Sequence, residues 1–470
     1  MFRYATAFVL ALILGVPAWA QWSSNPLQNL ALADNANGSD QVQPKIVPFG
    51  KAGGYVSWFD ANPQTPPPIG YDVFYQSLTE LGYQRYKQGG IMVADLSNTS
   101  TEDYGLDVDA QGDALLAFLD TREGANQQVT AAKMSPYGKP LWGKLGVQLT
   151  NDSADHAAPK IAATTDGGIV VAWTSDSNVV AQKLNAQGQP QWGSGVVFTQ
   201  SGFDLLLADL HAADNGSVII SWVSNQGFGS PNLLNANKIS STGTLLWGSG
   251  NVQLFTNGSL QFGNFPYFIP DGSGGAVFAW YTNGPTLQCF AQHILSNGAP
   301  AFQVGGVPVS NNNADIRVSP SAAYRASTGE TFVFWTEEDS NQVLNGVYGQ
   351  KLNGAGSLEW GPNGIALVPL GSDQQEFVTA VQVGTGALVF WVDSANFGDS
   401  TIQALELNTS GKVTCSQFGV STTPSDKSRL AATMVDGATA LVWQDDRLGN
   451  NGIYAQDVLP NCKLGLPGAD

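Results

Sequence analysis

The 470-residue chain carries 38 acidic and 20 basic residues, for a formal charge of −18, and only 3 Cys and 3 His. So acidic a chain is a poor partner for nucleic acid or an anionic lipid surface. Its low charged fraction (12%) and 54 Gly suit a turn-rich β protein.

Residues 1–20 read as a secretory signal: Arg3 is the charged start, 8–16 the apolar core, and Ala18-Trp19-Ala20 a small-x-small cleavage site before Gln21. The apolar run is too short to span a bilayer, and no Cys follows the cleavage site to carry a lipid. The reading is export to the periplasm or beyond after cleavage near Ala20, with no membrane insertion. Residues 22–33 follow, beginning Trp22-Ser23-Ser24-Asn25-Pro26, and look like the fourth strand of a unit whose first three strands are missing.

Residues 159–193 show the unit itself: a strand, a turn at Asp166-Gly167-Gly168, an apolar strand ending on Trp173, a strand carrying Ala181-Gln182-Lys183-Leu184, a turn closing on Gly188, and a fourth strand beginning near Trp192. The end of the second strand recurs at Trp58, Phe118, Trp173, Trp222, Trp280, Trp335, Trp391 and Trp443, at spacings of 49 to 60 residues. A period of this size means a repeat architecture. The second strands, such as Ile169-Val170-Val171-Ala172-Trp173, are apolar on both faces, as strands buried on both sides must be. Radially stacked four-stranded blades meet that demand and leave only short edges. The fold expected is all-β: an eight-bladed β-propeller of four-stranded antiparallel blades, one domain over 21–459 with a tail at 460–470. The eighth unit stops after its third strand near 453–458, so the N-terminal segment supplies its missing fourth strand.

Cys289 falls in a third strand, Cys415 in the fourth strand of unit seven and Cys462 in the tail. Three single pairings are open, beside the alternative of three free thiols. Cys415 with Cys462 is favoured, because units seven and eight are neighbours and the tail needs fixing. The connections between strands two and three, and between blades, vary in length and share one face in a propeller, where binding usually lives. Candidate binding residues on that face are Asp60, Tyr71, Asp72, Asp120, Arg122, His156, Phe228, Glu337, Glu338, Asp393, Asp445, Asp446 and Arg447.

Each candidate has a bland alternative. Carboxylates across a central funnel could do glycosidic acid–base work. Yet Asp120 with Arg122 and Asp445 with Arg447 recur at one repeat position, as braces do, and no titratable cluster stands outside the repeat. Of the three His, none has a metal-spaced neighbour, and His156 alone is placed in a variable loop. Asp107-Val108-Asp109-Ala110-Gln111-Gly112-Asp113 resembles the start of a calcium loop, but its twelfth position is Phe118 where a Glu belongs. No cofactor is expected beyond that calcium candidate. The Trp, repeated at equivalent slots, read as interblade core.

With these motifs the chain resembles secreted bacterial β-propeller repeat proteins, whose units read Asp-Gly-Gly, Trp-x-Asp-x-Arg, Tyr-Ala-Gln-x-Leu and Gly-x-x-x-Trp-Gly. Unit eight keeps Trp443-Gln444-Asp445-Asp446-Arg447 and Tyr454-Ala455-Gln456; unit three has Ser175 at the Asp slot. The fourth-strand turn also looks like the Asp box of sialidases, but Asn185 and Trp192 depart from its spacing around Gly188, and no arginine triad can be assigned. The resemblance implies architecture and no settled activity. The functional expectation is an exported monomeric binding or scaffold propeller engaging a glycan or an extracellular protein; the alternative is a carbohydrate-active hydrolase or lyase.

Overall fold

The computed structural model describes residues 21–465 except 35–37, 51–52, 62–69, 97–102, 123–125, 256–257, 285 and 397. The signal expected at 1–20 lies outside the described residues. Eight four-stranded antiparallel sheets form the blades, spanning 41–94, 105–148, 156–198, 204–253, 268–308, 316–371, 374–425 and 427–458. The first strands of neighbouring blades touch all the way round, from blade 1 through blade 8 and back to blade 1, which places them innermost on the ring.

Blade 8 is completed from the other end of the chain. Leu30–Ala33 pairs antiparallel with Gly452–Val458, Leu30 opposite Ala455 and Ala33 opposite Ile453. The segment also ties into blade 7: Asn29 Nδ2 donates to Val420 O at 2.9 Å, and Ser421 Oγ donates to Asn29 Oδ1 at 2.7 Å. Without it the last blade would expose a strand edge.

The second-strand Trp pack between blades: Trp58, Trp280, Trp335, Trp391 and Trp443 are each fully buried. The other repeated Trp differ from expectation. They sit in a bend ahead of the fourth strand, which starts four or five residues later: Val147–Gln148 follows Trp142, and Val196–Phe198 follows Trp192. In blades 3 and 6 a third-strand Gln holds this bend, Asn237 does so in blade 4, and blade 2 reaches it with Ala132 in that slot. Gln182 Oε1 accepts the Trp192 N–H at 2.9 Å while its Nε2 donates to Gly193 O at 3.0 Å; Gln350 does the same for Trp360 and Gly361. The indole is thereby turned onto the next blade, where its Nε1 donates to a turn carbonyl: Trp142 to Ala186, Trp192 to Ser241, Trp247 to Ser296, Trp360 to Thr409. Only glycine fits beneath. At Gly298 (φ +84°) a Cβ would stand 2.7 Å from Trp247 Cγ.

This Trp-on-Gly clasp explains how the ring closes. Trp22 performs it for blade 8, donating to Glu80 O of blade 1 at 3.0 Å, and Gln456 Nε2 holds the adjacent Ser23 O at 2.9 Å. Phe302 replaces the Trp in blade 5, packing against Gly356. Between blades 7 and 8, Cys415 takes the Trp position and Cys462 (φ +61°) the Gly position, and the two form a disulfide with Cα atoms 6.3 Å apart. Cys289 is free and buried.

Candidate functional site

The acidic ends of the second strands are mostly braces. Asp120 accepts Arg122 Nε and Nη2 at 2.9 and 2.6 Å, closing a turn, and the same guanidinium donates to Leu145 O. Glu337 is buried between Arg317 Nη2 and Trp335 Nε1, both at 2.6 Å. Asp445 takes Trp443 Nε1 at 2.9 Å and Arg447 Nη2 at 2.5 Å, and Arg447 reaches on to Asn29 and Ser421. Asp446 accepts the Asp426 N–H, Asp393 accepts Gln375 Nε2, and Asp60 accepts Ser39 and Gln41. Asp72 is buried and accepts the Leu96 N–H at 2.8 Å. Burial raises the carboxyl of Glu338, which lies at a strand end with Glu376 and Asp339 nearby. Tyr71 packs at the edge of the blade 1–2 core, while Phe228 stands fully exposed.

Two candidates are engaged by the protein itself. His156 is buried, its Nε2 against Asp152 Oδ1 at 3.0 Å. The calcium candidate is a strand and turn whose carboxylates are already spent. Lys133 Nζ lies 2.6 Å from Asp109 and 3.2 Å from Asp113, and Asp107 accepts the backbone N–H of Val108 and Ala163. An ammonium thus occupies the place a cation would take. The same brace recurs as Lys183 on Asp166, Lys238 on Asp214, His293 on Asp271 and Lys351 on Glu330.

One correction opens the site. A titratable cluster stands on the ring axis, with Lys45, Lys160 and Asp209 at one repeat position and Asp103 and Tyr267 ahead of first strands. Lys45 of blade 1 and Lys160 of blade 3 both pair with Asp103, which lies just ahead of blade 2's first strand Gly105–Val108; the Lys45 contact is 2.6 Å. Tyr267 of blade 5 donates its hydroxyl to the same Asp103 carboxylate at 2.9 Å. Blades 2 and 5 are not neighbours, so this bond can only pass through the centre of the ring. Lys160 and Lys45 also lie over the Tyr267 ring, at 5.0 and 5.9 Å from its centroid. On blade 4, Asp209 accepts the Phe268 N–H and faces His211 Nε2 at 3.0 Å.

The register explains the convergence. Lys45, Lys160 and Asp209 each pair with the residue preceding a second-strand Trp or its equivalent, namely Ser57, Ala172 and Ser221. They therefore occupy one level of the channel. Just before that level the first strands of blades 1, 3, 4, 6, 7 and 8 slip register. Such bulges bend a strand and re-aim its side chains. The one sequence signal for the cluster is the triplet Pro-Lys-Ile, which recurs at Pro44-Lys45-Ile46 and Pro159-Lys160-Ile161.

Electrostatically the site is a set of charges held fixed. Burial alone would raise the Asp103 carboxyl, but Lys45 and Lys160 outweigh it and hold it well below the usual range. Burial and Lys45 push Lys160 down. Asp209 is likewise lowered against its burial by His211 and Lys160, and His211 is raised against its burial by Asp209. Burial leaves Asp107 raised, yet each of its oxygens accepts a backbone N–H. Part of the cluster faces solvent: Tyr267 is 60% exposed and the His211 side chain 43%, while Lys160 and Asp209 are buried. Two further exposed aromatics, Phe262 (82%) and Phe265 (41%), stand on the connection that leads into Tyr267.

No protein-family model matches this chain, and no curated protein does. Similar solved structures include the Penicillium chrysogenum alpha-L-arabinanase complexed with arabinobiose, at 12% identity over 64% of this chain and 92% of that one, TM-score 0.38. The endo-arabinase from Bacteroides thetaiotaomicron is 13% identical over 59% of this chain and 97% of that one, TM-score 0.33. Apo prolyl oligopeptidase B from Galerina marginata is 12% identical over 87% of this chain and 56% of that one, TM-score 0.45. Likeness at this level carries no argument about activity. Among the described residues, no helix is long and apolar enough to cross a membrane.

Proposed function

We propose that this protein is an exported, non-catalytic binding propeller of the secreted bacterial repeat type, which holds a glycan at the axial mouth through Tyr267 and its aromatic approach. The observation that carries the reading is the combination at Tyr267. Its ring is fixed by a hydrogen bond across the channel and by two ammonium groups, yet more than half of the residue faces solvent. A rigid, exposed aromatic ring offers an apolar face on which the C–H face of a sugar ring stacks, with polar groups beside it for the hydroxyls. Phe262 and Phe265 extend that surface outward. The signal read in the sequence of residues 1–20 and the Cys415–Cys462 disulfide are the support for export.

Binding is favoured over hydrolysis by what the carboxylates do. A glycosidase needs one carboxylic acid kept protonated and free to give its proton, and a second carboxylate facing the bond. Asp103 and Asp209 are held ionised by cations, and the raised Asp107 has both oxygens bound to backbone N–H groups. The second reading, a carbohydrate-active hydrolase or lyase, rests on that same contrast between a raised Asp107 and a lowered Asp209 beside His211. A polysaccharide panel, scored separately for retention by immobilised protein and for new reducing or unsaturated ends, tests the two. Retention without cleavage supports binding; cleavage lost in Asp107→Asn or Asp209→Asn supports the enzyme.

A further inference from the structure

Three departures from the repeat meet at the seam between blades 7 and 8. Cys415 stands in the slot that holds Trp in blades 2, 3, 4 and 6, and Cys462 in the slot that holds Gly. The third departure is Glu406. It occupies the third-strand slot that holds Lys133, Lys183, Lys238, His293 and Lys351 elsewhere, each paired with a carboxylate of the turn joining strands one and two. In blade 7 that turn, Gly384-Thr385, has no carboxylate, so the brace does not account for an acid there. Instead Glu406 Oε2 lies 3.9 Å from Cys415 Sγ and 3.5 Å from Cys462 Sγ. A disulfide has no S–H to give it. The bond explains both cysteines; Glu406 Oε1 accepts the Thr414 hydroxyl at 3.1 Å, and Oε2 faces the two sulfurs.

We propose that the reduced form of this seam is a binding site for one zinc-class divalent cation, with Cys415 and Cys462 thiolates and Glu406 Oε2 as its three protein ligands. The inference is independent of the glycan reading. The three donor atoms lie within 4.8 Å of one another. A tetrahedral zinc with bonds of about 2.3 Å to sulfur and about 2.1 Å to oxygen separates those two ligands by about 3.6 Å. The sulfur–oxygen separations of 3.5 and 3.9 Å in the disulfide-bonded seam lie on either side of that span, and on reduction the two sulfurs, now bonded, must part to about 3.8 Å to share one zinc. Two soft thiolates with one carboxylate select zinc, cadmium or cobalt over calcium or magnesium, and a water completes the fourth position.

The chemistry balances. A thiol or phosphine reductant gives two electrons, and two protons from solvent make two thiols while the reductant is itself oxidised. The cation then displaces one proton from each sulfur, and both protons leave to solvent. A disulfide oxidant then takes two electrons from the thiolate pair and is itself reduced to two thiols with two protons from solvent; the Cys415–Cys462 bond reforms, both thiolate ligands are lost and the metal leaves. The seam is thus clasped in either redox state, by a covalent bond or by a cation.

The test uses the full mature chain, reduced with a phosphine and then freed of reductant and metal under exclusion of air. Cobalt(II) should give a tetrahedral visible spectrum with thiolate charge-transfer bands, saturating at one equivalent and displaced by zinc. Oxidised wild type, which needs no substitution and keeps its fold, should give none. Cys415→Ser and Cys462→Ser should lose the charge-transfer band of one thiolate, and Cys289→Ser should leave the spectrum unchanged. Glu406→Gln should weaken zinc by about tenfold or more, the scale of losing even an outer partner of a metal ligand. No cobalt spectrum from reduced wild type, equal binding by the oxidised protein, or unchanged affinity in Glu406→Gln would each overturn the proposal.

Discussion

Replacing Asp457 by Asn should stabilise the ring at neutral pH. Asp457 is buried in the third strand of blade 8, at the slot where five other blades place Lys or His. One of its oxygens accepts the Gly465 N–H at 2.8 Å. Burial outweighs that bond and raises the carboxyl from 3.8 to about 6. Because the folded value lies above the unfolded one, the folded state binds the extra proton between them. The stability contributed by this group is therefore fully present below 3.8 and is lost as pH rises to about 6. At roughly 1.4 kcal/mol per pKa unit, the loss is about 3 kcal/mol, borne in full above that window. Asn keeps an oxygen for the Gly465 N–H and carries no charge. Urea unfolding of wild type and Asp457→Asn at pH 4 and pH 7.5, read as the difference between the two proteins, isolates this group from the other carboxylates. The variant should gain about 2–3 kcal/mol at the higher pH and little at the lower. An equal effect at both, or a loss at the higher pH, would refute the reasoning.

The clasp predicts that Gly298→Ala destabilises by about 1–3 kcal/mol, since a Cβ there meets Trp247 and φ is +84°; thermal unfolding and indole fluorescence would report it. Cys415→Ser with Cys462→Ser opens a 47-residue loop, and should cost up to about 4 kcal/mol in metal-free denaturation measured against oxidised wild type. Tyr267→Phe loses the bond to Asp103 and should cost about 1 kcal/mol in unfolding while leaving the ring exposed for stacking. Deleting residues 21–33 removes both Trp22 and the outer strand of blade 8, so size-exclusion chromatography should show association through the bared edge.

The repeat made the ring legible because most blades reuse the same parts: a strand apolar on both faces, a Gln or Asn to hold the bend, and a Trp with a Gly beneath it. The closing strand and the Cys415–Cys462 bond could be read from which parts were missing in unit eight. The axial cluster was harder to see. Lys45, Asp103, Lys160 and Tyr267 lie far apart in the chain, and their meeting depends on the closed ring together with slips of register inside the first strands. Such slips leave little trace in hydrophobic pattern. The acidic strand ends carried two readings in sequence: Asp120, Glu337 and Asp445 resemble funnel carboxylates, and the ion pairs with Arg122, Arg317 and Arg447 are those of braces.

The most direct measurement is retention of glycans from the panel by wild type and by Phe262→Ala, Phe265→Ala, Tyr267→Ala and Phe228→Ala, with soluble products followed in the same samples. A mouth built around Tyr267 predicts that wild type retains a glycan without shortening it. Tyr267→Ala should lose that retention, Phe262→Ala and Phe265→Ala should weaken it, and Phe228→Ala, on another connection, should leave it intact. Retention by Tyr267→Ala equal to wild type, or shortened glycan from the wild-type protein, would contradict a non-catalytic site on the ring axis.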